Sequence, residues 1–314
     1  MKSIGGYFEL ELSRQGFYHK KCLSLNSGRN CLDYILMCNK FNKIFIPYFI
    51  CNSILEPIMR NKLQFEYYHI NNDFEILYNL NNIKSNEAFL YVNYFGIKTE
   101  YIKDISTKIK NLIIDNTHAF FNLPINNIDT FYSPRKFFGV PDGGYLYTNN
   151  KLKSNLQYDN SFDRFKYLLI RADLNAQSGY IYFKENEKNI SSVPLRLMSK
   201  ITKKLLLSIN YNEILKKRHF NFQYLHNKLK HINKISSILN LEPSLFVYPF
   251  YTEEADNLKD KLLKNNIFTA TYWVEVLEKV KKKSSEYSFV KNIVNLPIDQ
   301  RINYSQLKKI LNLI

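Results

Sequence analysis

Short apolar runs alternate with segments of helical periodicity along the first half of the chain. The runs are rich in β-branched and aromatic residues, which is typical of buried strands. The predicted strands are residues 43–47, 65–70, 88–93, 111–115, 128–132 and 144–148. Between them, residues 30–38 and 52–60 carry apolar stripes at helical spacing. This alternation predicts an α/β fold with a mostly parallel sheet covered on both faces.

The pattern changes near residue 195. From there to about residue 231 the apolar positions keep a helical spacing, and Asn212 followed by Glu213 is typical of a helix start. A strand at 245–251, a helix at 256–264 and a last helix at 304–313 complete the prediction. We therefore expect a large domain over residues 1–195. Residues 196–314 would form a long connecting helix and a small C-terminal α/β domain.

Composition and charge restrict the possible functions. The chain has 314 residues, 45% of them apolar, and a formal net charge of +16. Its lysines are spread along the sequence, and the densest run, Lys279-Val280-Lys281-Lys282-Lys283, is typical of a solvated loop or helix end. No stretch approaches the roughly 20 apolar residues of a membrane helix. We expect a cytoplasmic protein without a membrane span or a nucleic-acid partner, whose basic surface attracts polyanionic small substrates.

The four cysteines are not arranged as ligands of a metal. Cys22, Cys31, Cys38 and Cys51 all lie near the start of the chain, and no two have the Cys-x-x-Cys spacing. Small buried hydrophobic residues in a reducing compartment are the better interpretation. The sequence predicts neither a disulfide framework nor a metal site.

One segment combines residues that could carry chemistry. A strand ends at Asp115, His118 follows three residues later, and Lys136 follows the next strand. Ligands of open α/β sheets bind at the carboxyl ends of the strands. Pyridoxal 5′-phosphate needs a lysine that bonds to its aldehyde and a carboxylate that keeps its ring nitrogen protonated. Asp115 and Lys136 match that pair, and Arg135 would lower the pKa of Lys136.

A phosphate site would complete such a centre. Ser27, Gly28 and Arg29 precede the first helix, where free backbone N–H groups attract anions. Ser133 offers a hydroxyl, and Gly143-Gly144 allows a tight turn into the sheet. Each signal alone has an ordinary structural explanation, since strand-end aspartates cap turns and Ser-Gly pairs are common in loops. Together they favour a cofactor site.

The same segments, in order, resemble the DegT/DnrJ/EryC1/StrS family of pyridoxal-phosphate sugar aminotransferases. The matching segments are Leu25-Asn26-Ser27-Gly28-Arg29-Asn30, the strand ending at Pro47, Val92-Asn93-Tyr94-Phe95-Gly96, Asp115-Asn116-Thr117-His118, Ser133-Pro134-Arg135-Lys136, Asp142-Gly143-Gly144, Tyr272-Trp273 and Asn295-Leu296-Pro297-Ile298. The resemblance implies fold type I: a mixed, mostly parallel seven-stranded sheet with a small C-terminal domain, in a homodimer. It also implies glutamate as donor, a keto-sugar nucleotide as acceptor, and a role in surface polysaccharide biosynthesis.

The resemblance assigns roles by position. Lys136 would hold the cofactor and move the proton, Asp115 would pair with the ring nitrogen, and His118 would lie near the ring hydroxyl. Ser27, Gly28, Arg29 and Ser133 would hold the phosphate, and Arg29 would meet it directly through its donors. The residue that stacks on the ring is not fixed, with Tyr48, Phe49 and Cys51 all near the position.

Some positions depart from the family pattern and leave alternatives open. Arg29 replaces a small hydroxyl residue, Phe131 stands where serine is common, and Gly179-Tyr180-Ile181 is the nearest match to a segment given to the partner subunit. A sugar dehydratase of the family would carry histidine in place of Lys136. The remaining alternatives are an inactive or regulatory relative with the same fold, and an enzyme acting on a smaller phosphorylated ketone.

Overall fold

The computed structural model describes residues 4–239 and 246–314. The strands are β1 Leu23–Leu25, β2 Lys43–Pro47, β3 Gln64–Ile70, β4 Ile76–Leu77, β5 Glu87–Val92, β6 Leu112–Asp115, β7 Asp129–Tyr132, β8 Gly144–Tyr147, β9 Tyr248–Tyr251 and β10 Ile293–Leu296. The α-helices are α1 Gly28–Cys38, α2 Leu55–Arg60, α3 Thr99–Ser106, α4 Lys166–Asp173, α5 Ala176–Ser192, α6 Lys200–Leu207, α7 Tyr211–Leu229, α8 Ala255–Lys264, α9 Ser285–Asn292 and α10 Tyr304–Leu311.

The main sheet has the strand order β1-β8-β7-β6-β5-β2-β3-β4. Its five central strands, from β7 to β3, are parallel, while β8, β1 and β4 run antiparallel to their neighbours. The predicted α/β class and the mixed, mostly parallel sheet are confirmed. The sheet has eight strands rather than seven. Two of them, β1 and β4, have only three and two residues, which is too short for a period-2 pattern to show.

The carboxyl ends of the strands bring distant segments to one edge of the sheet. Strand β1 is antiparallel to β8, and β8 is antiparallel to β7, so β1 and β7 run in the same direction. The segments that follow β1, β2, β5, β6 and β7 therefore leave the sheet at the same edge. This edge is where a doubly wound sheet binds its ligand.

Helix α1 begins at this edge. Ser27 caps it, since its hydroxyl accepts a hydrogen bond from the Asn30 amide at 3.0 Å, so the helix starts two residues earlier than predicted. Its buried face includes Leu32, Ile35 and Leu36 and packs against β7 and β8. The packing fixes the N-terminal turn of the helix beside the residues that follow β7.

The long helix predicted for residues 195–231 is divided in two. Leu197 still bridges to Leu25 of β1, and helix α6 ends at Leu207 before α7 begins at Tyr211. The predicted start at Asn212 is two residues late, because Asn210 caps α7 by accepting from the Glu213 amide. Helical spacing on both sides of a short turn resembles one continuous helix in a sequence.

The C-terminal region adds a smaller layer. Strands β9 and β10 form an antiparallel two-stranded sheet, against which α7, α8 and α9 pack, while α10 packs on α7. The predicted strand at 245–251 is confirmed from Tyr248, and its first residue, Leu245, lies outside the described residues. The apolar core is continuous across both sheets. The domain boundary at residue 195 stays a prediction.

Helices α4 and α5 form an antiparallel pair that the sequence patterns did not predict. Their apolar residues do not keep a regular stripe, and α4 buries no side chain. Gly179 lies inside α5, where an added Cβ would come within 2.9 Å of the Tyr167 carbonyl oxygen. The segment compared with a partner-lending loop is thus helical, and its glycine permits the two helices to pack closely.

Two further features concern compartment and membrane. All four cysteines are free, and Cys31 is buried as predicted, whereas Cys51 is exposed, against the expectation of burial. Cys51 lies past the end of β2, where the chain leaves the sheet edge. Within residues 4–239 and 246–314, no helix has both the length and the apolar character needed to cross a membrane.

Candidate active site

Asp115 is the last residue of β6, and its carboxylate is held by the turn that follows. The turn is fixed because the Asn116 amide donates to the Phe131 carbonyl of β7 at 2.9 Å. The Thr117 amide then donates to Oδ1 of Asp115 at 2.8 Å. The side chain is 6% exposed. Parallel pairing of β6 with β7 therefore directs one carboxylate to the sheet edge in a fixed orientation.

Lys136 reaches the same turn from β7. It ends the 3₁₀ turn Pro134–Lys136, and its Nζ donates to the Thr117 hydroxyl at 3.1 Å. Thr117 thus contacts both the acid and the amine. The sequence analysis did not single out Thr117, and its place between Asp115 and His118 in the motif is the only signal that could have found it.

The environment shifts the pKa values of both groups. The Lys136 side chain keeps access to solvent, yet dense protein around it desolvates its ammonium and lowers its pKa, while the Asp115 charge opposes that shift. Burial likewise raises the pKa of Asp115, opposed by Lys136 and by the hydrogen bonds of Thr117. Arg135 adds only a minor lowering for Lys136, since its guanidinium pairs with Glu187. Lys136 is therefore exposed at the sheet edge although its ammonium is desolvated, and we call the space beside Asp115, Thr117 and Lys136 the cleft.

The turn before α1 approaches this cleft. A Cβ on Gly28 would lie 3.5 Å from the Thr117 methyl group and 3.8 Å from Cβ of Ser133. Ser27, Gly28 and Ser133 thus surround the space beside Thr117 and Lys136. The first amides of α1 have no carbonyl of their own helix to bond, so they provide donors for an anion.

The predicted Asp-Gly-Gly turn makes this approach possible. A Cβ on Gly144 would lie 2.5 Å from the Ser27 carbonyl oxygen, so only glycine lets the two backbones meet. Gly143 has φ +125°, which favours glycine. The buried Asp142 accepts from the Ser199 amide and hydroxyl, both at 3.1 Å, and so holds the residue that caps α6. The motif therefore holds both the phosphate turn and the start of α6.

Arg29 does not direct its Nε at this space. Nε donates to the Ser53 carbonyl at 3.1 Å and lies 3.1 Å from Oε2 of Glu56. The side chain thus joins α1 to α2. The backbone amide of Arg29 remains part of the first turn of α1, and this is the part of the residue that lies where the resemblance requires a phosphate donor.

His118 is enclosed by aromatic rings. It is 1% exposed and lies between the rings of Phe246 at 4.3 Å and Trp273 at 5.2 Å, both nearly parallel to it. Burial and the nearby Lys136 charge lower its pKa well below the ordinary value, so the imidazole is neutral. Its Nδ1 has no hydrogen-bond partner among the described residues. A buried ring nitrogen of this kind is suited to a ligand group.

The three candidates for the ring-stacking residue separate in space. Phe49 is buried against Trp273, with ring centroids 4.4 Å apart. Tyr48 stacks on residues of β3, away from His118. Cys51 is exposed, and it lies close enough to Lys136 to act on its pKa. Of the three, Cys51 is the one associated with Lys136.

The geometry of these residues by itself fits pyridoxal phosphate. The cleft offers an accessible lysine of lowered pKa, a buried carboxylate fixed by its turn, and a neutral histidine with an unpartnered ring nitrogen. The space that a Cβ on Gly28 would fill lies beside Ser133 at a helix start. These are the groups that the ring nitrogen, aldehyde, ring hydroxyl and phosphate each require.

The comparisons with known proteins agree with this fold. No family model matches the sequence, and no curated protein sequence matches it significantly. Among solved structures, the sugar aminotransferase CalS13 from Micromonospora echinospora is 12% identical with a TM-score of 0.64, covering 93% of this chain and 86% of its own. A DegT DnrJ EryC1 StrS aminotransferase from Brucella abortus is 16% identical with a TM-score of 0.62, covering 94% and 85%.

Spr1654 from Streptococcus pneumoniae, solved in its PMP-form, is 13% identical with a TM-score of 0.66, covering 93% of this chain and 85% of its own. At such identities the likeness concerns the fold. The resemblance inferred from the motifs is confirmed at that level, because the structural neighbours include proteins of the same family. The chain thus has the fold of the DegT/DnrJ/EryC1/StrS aminotransferases.

Proposed function

We propose that the chain is a pyridoxal-phosphate-dependent aminotransferase that moves an amino group from glutamate to a keto group of a nucleotide-linked sugar. The observation that carries the proposal is the Asp115–Thr117–Lys136 arrangement at the carboxyl edge of the sheet. The similar protein Spr1654 has been solved in both a PLP-form and a PMP-form, which supports the choice of cofactor.

The side chains would divide the work as follows. Asp115, held by the Thr117 amide, would keep a protonated ring nitrogen paired with a negative charge. Lys136 would hold the cofactor and then carry a proton on Nζ, and its lowered pKa favours the neutral amine that this exchange needs. The Ser27–Arg29 amides and the Ser133 hydroxyl would bind the phosphate, with His118 beside the ring hydroxyl. When bound, the cofactor supplies an electron sink for the reacting carbon.

The acceptor assignment has separate support. A net charge of +16 attracts polyanionic substrates, and a sugar linked to a nucleotide carries a diphosphate. The neighbour CalS13 is a sugar aminotransferase. We assign the product to surface polysaccharide biosynthesis. We place the reaction in the cytoplasm, where its four free cysteines stay reduced.

A homodimer is the assembly that the surface supports. Helices α4 and α5, with the residues just before and between them, expose a set of large apolar side chains. The set is Phe162, Leu169, Leu174, Tyr180 and Ile181, each more than half exposed. Apolar groups gathered on one helical pair are typical of a protein interface. We propose that a second copy of the chain covers this pair.

An absorbance spectrum of the purified protein with added cofactor tests the function. Wild-type protein should show the band of lysine-bound cofactor, and glutamate should convert it to the band of the amino form. Lys136→Ala should lack the first band while keeping the melting temperature, and exposed Lys151→Ala should behave as wild type. A band that ignores glutamate in the wild type would refute the donor. Protein that binds no cofactor would favour the inactive relative.

A further inference from the structure

Three aromatic rings gather at the far end of the same sheet edge. Tyr48 follows β2, while Tyr67 and His69 lie two residues apart on one face of β3. The Tyr48 ring lies 4.7 Å from that of Tyr67 at 14° and 4.5 Å from that of His69 at 30°. We call these three residues the aromatic platform. No part of the mechanism described above uses it.

The platform is held rigidly from beneath. Glu286 of α9 is fully buried, and its Oε1 accepts from the Ile70 amide at 2.8 Å and lies 3.0 Å from Nδ1 of His69. The His69 side chain nonetheless remains 48% exposed. A ring that is fixed in place but open to solvent loses little conformational entropy when another planar group stacks on it.

One cation, Lys279, lies against the platform. Nζ of Lys279 lies 5.2 Å from the centroid of the Tyr67 ring, and it donates to the Tyr67 hydroxyl at 3.2 Å. Lys281, Lys282 and Lys283 follow, all exposed, and among the described residues none of the three forms an ion pair. The densest basic run of the sequence therefore begins at the platform, and three exposed lysines without an ion pair in the described part of the chain follow, which favours an anionic ligand.

The platform is connected to the Lys136 cleft along the edge. Lys279 donates to the side-chain oxygen of Asn52, the residue next to Cys51, which acts on the pKa of Lys136. In the sheet order, β3 lies three strands from β6, where Asp115 ends, which is about 14 Å at the usual spacing of strands. A ligand that reaches both sites must therefore be long, with a planar group at one end.

We propose that the aromatic platform and the Lys279–Lys283 run bind the nucleoside diphosphate part of the acceptor, with the base stacked at His69 and the phosphates near the lysines. A base offers a π-face to aromatic rings whatever its identity, and a diphosphate matches clustered ammonium groups. The inference rests on the proposed function and adds to it the location of the nucleotide. The sugar at the other end would then extend toward Lys136.

Isothermal titration calorimetry with UDP, dTDP, CDP and GDP on the cofactor-loaded protein tests the site. At least one nucleotide should bind to the wild type, with affinity that falls as salt rises. His69→Ala should weaken binding about 10-fold or more, while His69→Phe, which keeps a ring, should retain most of it. Replacing Lys281, Lys282 and Lys283 together by alanine should reduce the salt dependence.

A matched control distinguishes the platform from any exposed tyrosine. Tyr304 lies in an edge contact with Tyr224 at 5.1 Å and has Nζ of Lys308 4.6 Å from its ring, but it lies on α10, away from the sheet edge. Tyr304→Ala should leave nucleotide affinity unchanged. Equal losses in Tyr304→Ala and His69→Ala, or no nucleotide binding by the wild type, would overturn the proposal.

Two other results would also overturn it, and the cofactor spectrum separates them from failure of the aminotransferase function. One is a His69→Ala variant that binds nucleotide as tightly as the wild type. The other is single-stranded oligouridylate binding far more tightly than UDP, which would indicate a nucleic-acid surface. In each case an unchanged cofactor band that still responds to glutamate would leave the function in place and refute only the location.

Discussion

His118 and His69 both lie in aromatic stacks, and their surroundings differ. His118 is enclosed between Phe246 and Trp273 and is 1% exposed. The His69 side chain stacks on Tyr48 and is 48% exposed. Enclosure fixes the protonation state and orientation of His118, so that it can serve one group at one place. Exposure leaves a face of His69 available, so that it can receive a ligand.

The comparison predicts a large difference in stability between the two stacks. Trp273→Ala removes the ring that lies on His118 and the contact with Phe49, and should cost about 3–5 kcal/mol in the free energy of unfolding. His69→Ala removes a half-exposed ring and a hydrogen-bond partner of the buried Glu286, and should cost about 1.5 kcal/mol. Urea unfolding of both variants measures the difference. Similar losses of stability in the two variants would show that the enclosed and the exposed stack contribute equally to folding.

The enclosed stack belongs to the Lys136 cleft, where the backbones of Ser27 and Gly144 meet. A substitution at this close approach gives the second prediction. Gly144→Ala places a Cβ 2.5 Å from the Ser27 carbonyl oxygen and 2.7 Å from Sγ of Cys31, so the phosphate turn must move. We expect a loss of about 3 kcal/mol in stability and weaker cofactor binding.

Gly139→Ala is the matched control on the same loop. Its Cβ would meet only Cδ2 of Leu168, at an ordinary 3.6 Å, so stability and cofactor affinity should stay near the wild type. Thermal unfolding and a cofactor titration compare the two variants. A Gly144→Ala variant with normal cofactor affinity would show that the phosphate turn does not depend on this approach.

The smallest expected effect is the pH dependence of stability that the enclosed His118 should contribute. Burial holds the pKa of His118 well below its ordinary value, so below about pH 6.5 the unfolded chain takes up a proton that the folded chain does not. Stability is therefore lost as the pH falls, by about 1.4 kcal/mol per pH unit for one group. His118→Phe should remove the contribution of His118 to the pH dependence of the free energy of unfolding between pH 6.5 and 5.

His19 contributes equally to both proteins, because burial lowers its pKa to about 4 in the wild type and nothing in the variant alters its contacts. The difference between wild type and variant thus isolates His118. Urea unfolding of the cofactor-free proteins at pH 7, 6 and 5 measures it. Parallel slopes would mean that His118 is protonated in the folded state.

Most of the correct predictions came from patterns within short segments of the sequence. Four of the six predicted strands of the main sheet differ from the observed bounds by one residue at one end, β5 differs by one residue at each end, and β2 agrees at both. Asp115 and Lys136 were found because strands of a parallel sheet end at one edge, so an acid and an amine after neighbouring strands must come close. Such pairs need only the order of the elements.

Other features depended on contacts between segments far apart in the sequence. Nothing in the spacing of Arg29 shows that its Nε would bond the Ser53 carbonyl and Glu56. The platform joins β2, β3 and α9, with His69 and Glu286 217 residues apart. Thr117 could be identified as the link between Asp115 and Lys136 only from the structure, in which Nζ of Lys136 donates to its hydroxyl.

The sequence by itself determined the α/β class, the strands of the sheet edge and the acid–lysine pair, because these follow from apolar periodicity and from short segments at strand ends. The tertiary structure alone decided which side chains are enclosed and which stay open. That outcome depends on the packing of α1 against β7 and β8 and of α9 against β3 and β9. Burial sets the pKa values of Asp115, Lys136 and His118, and it is a property of the assembled chain.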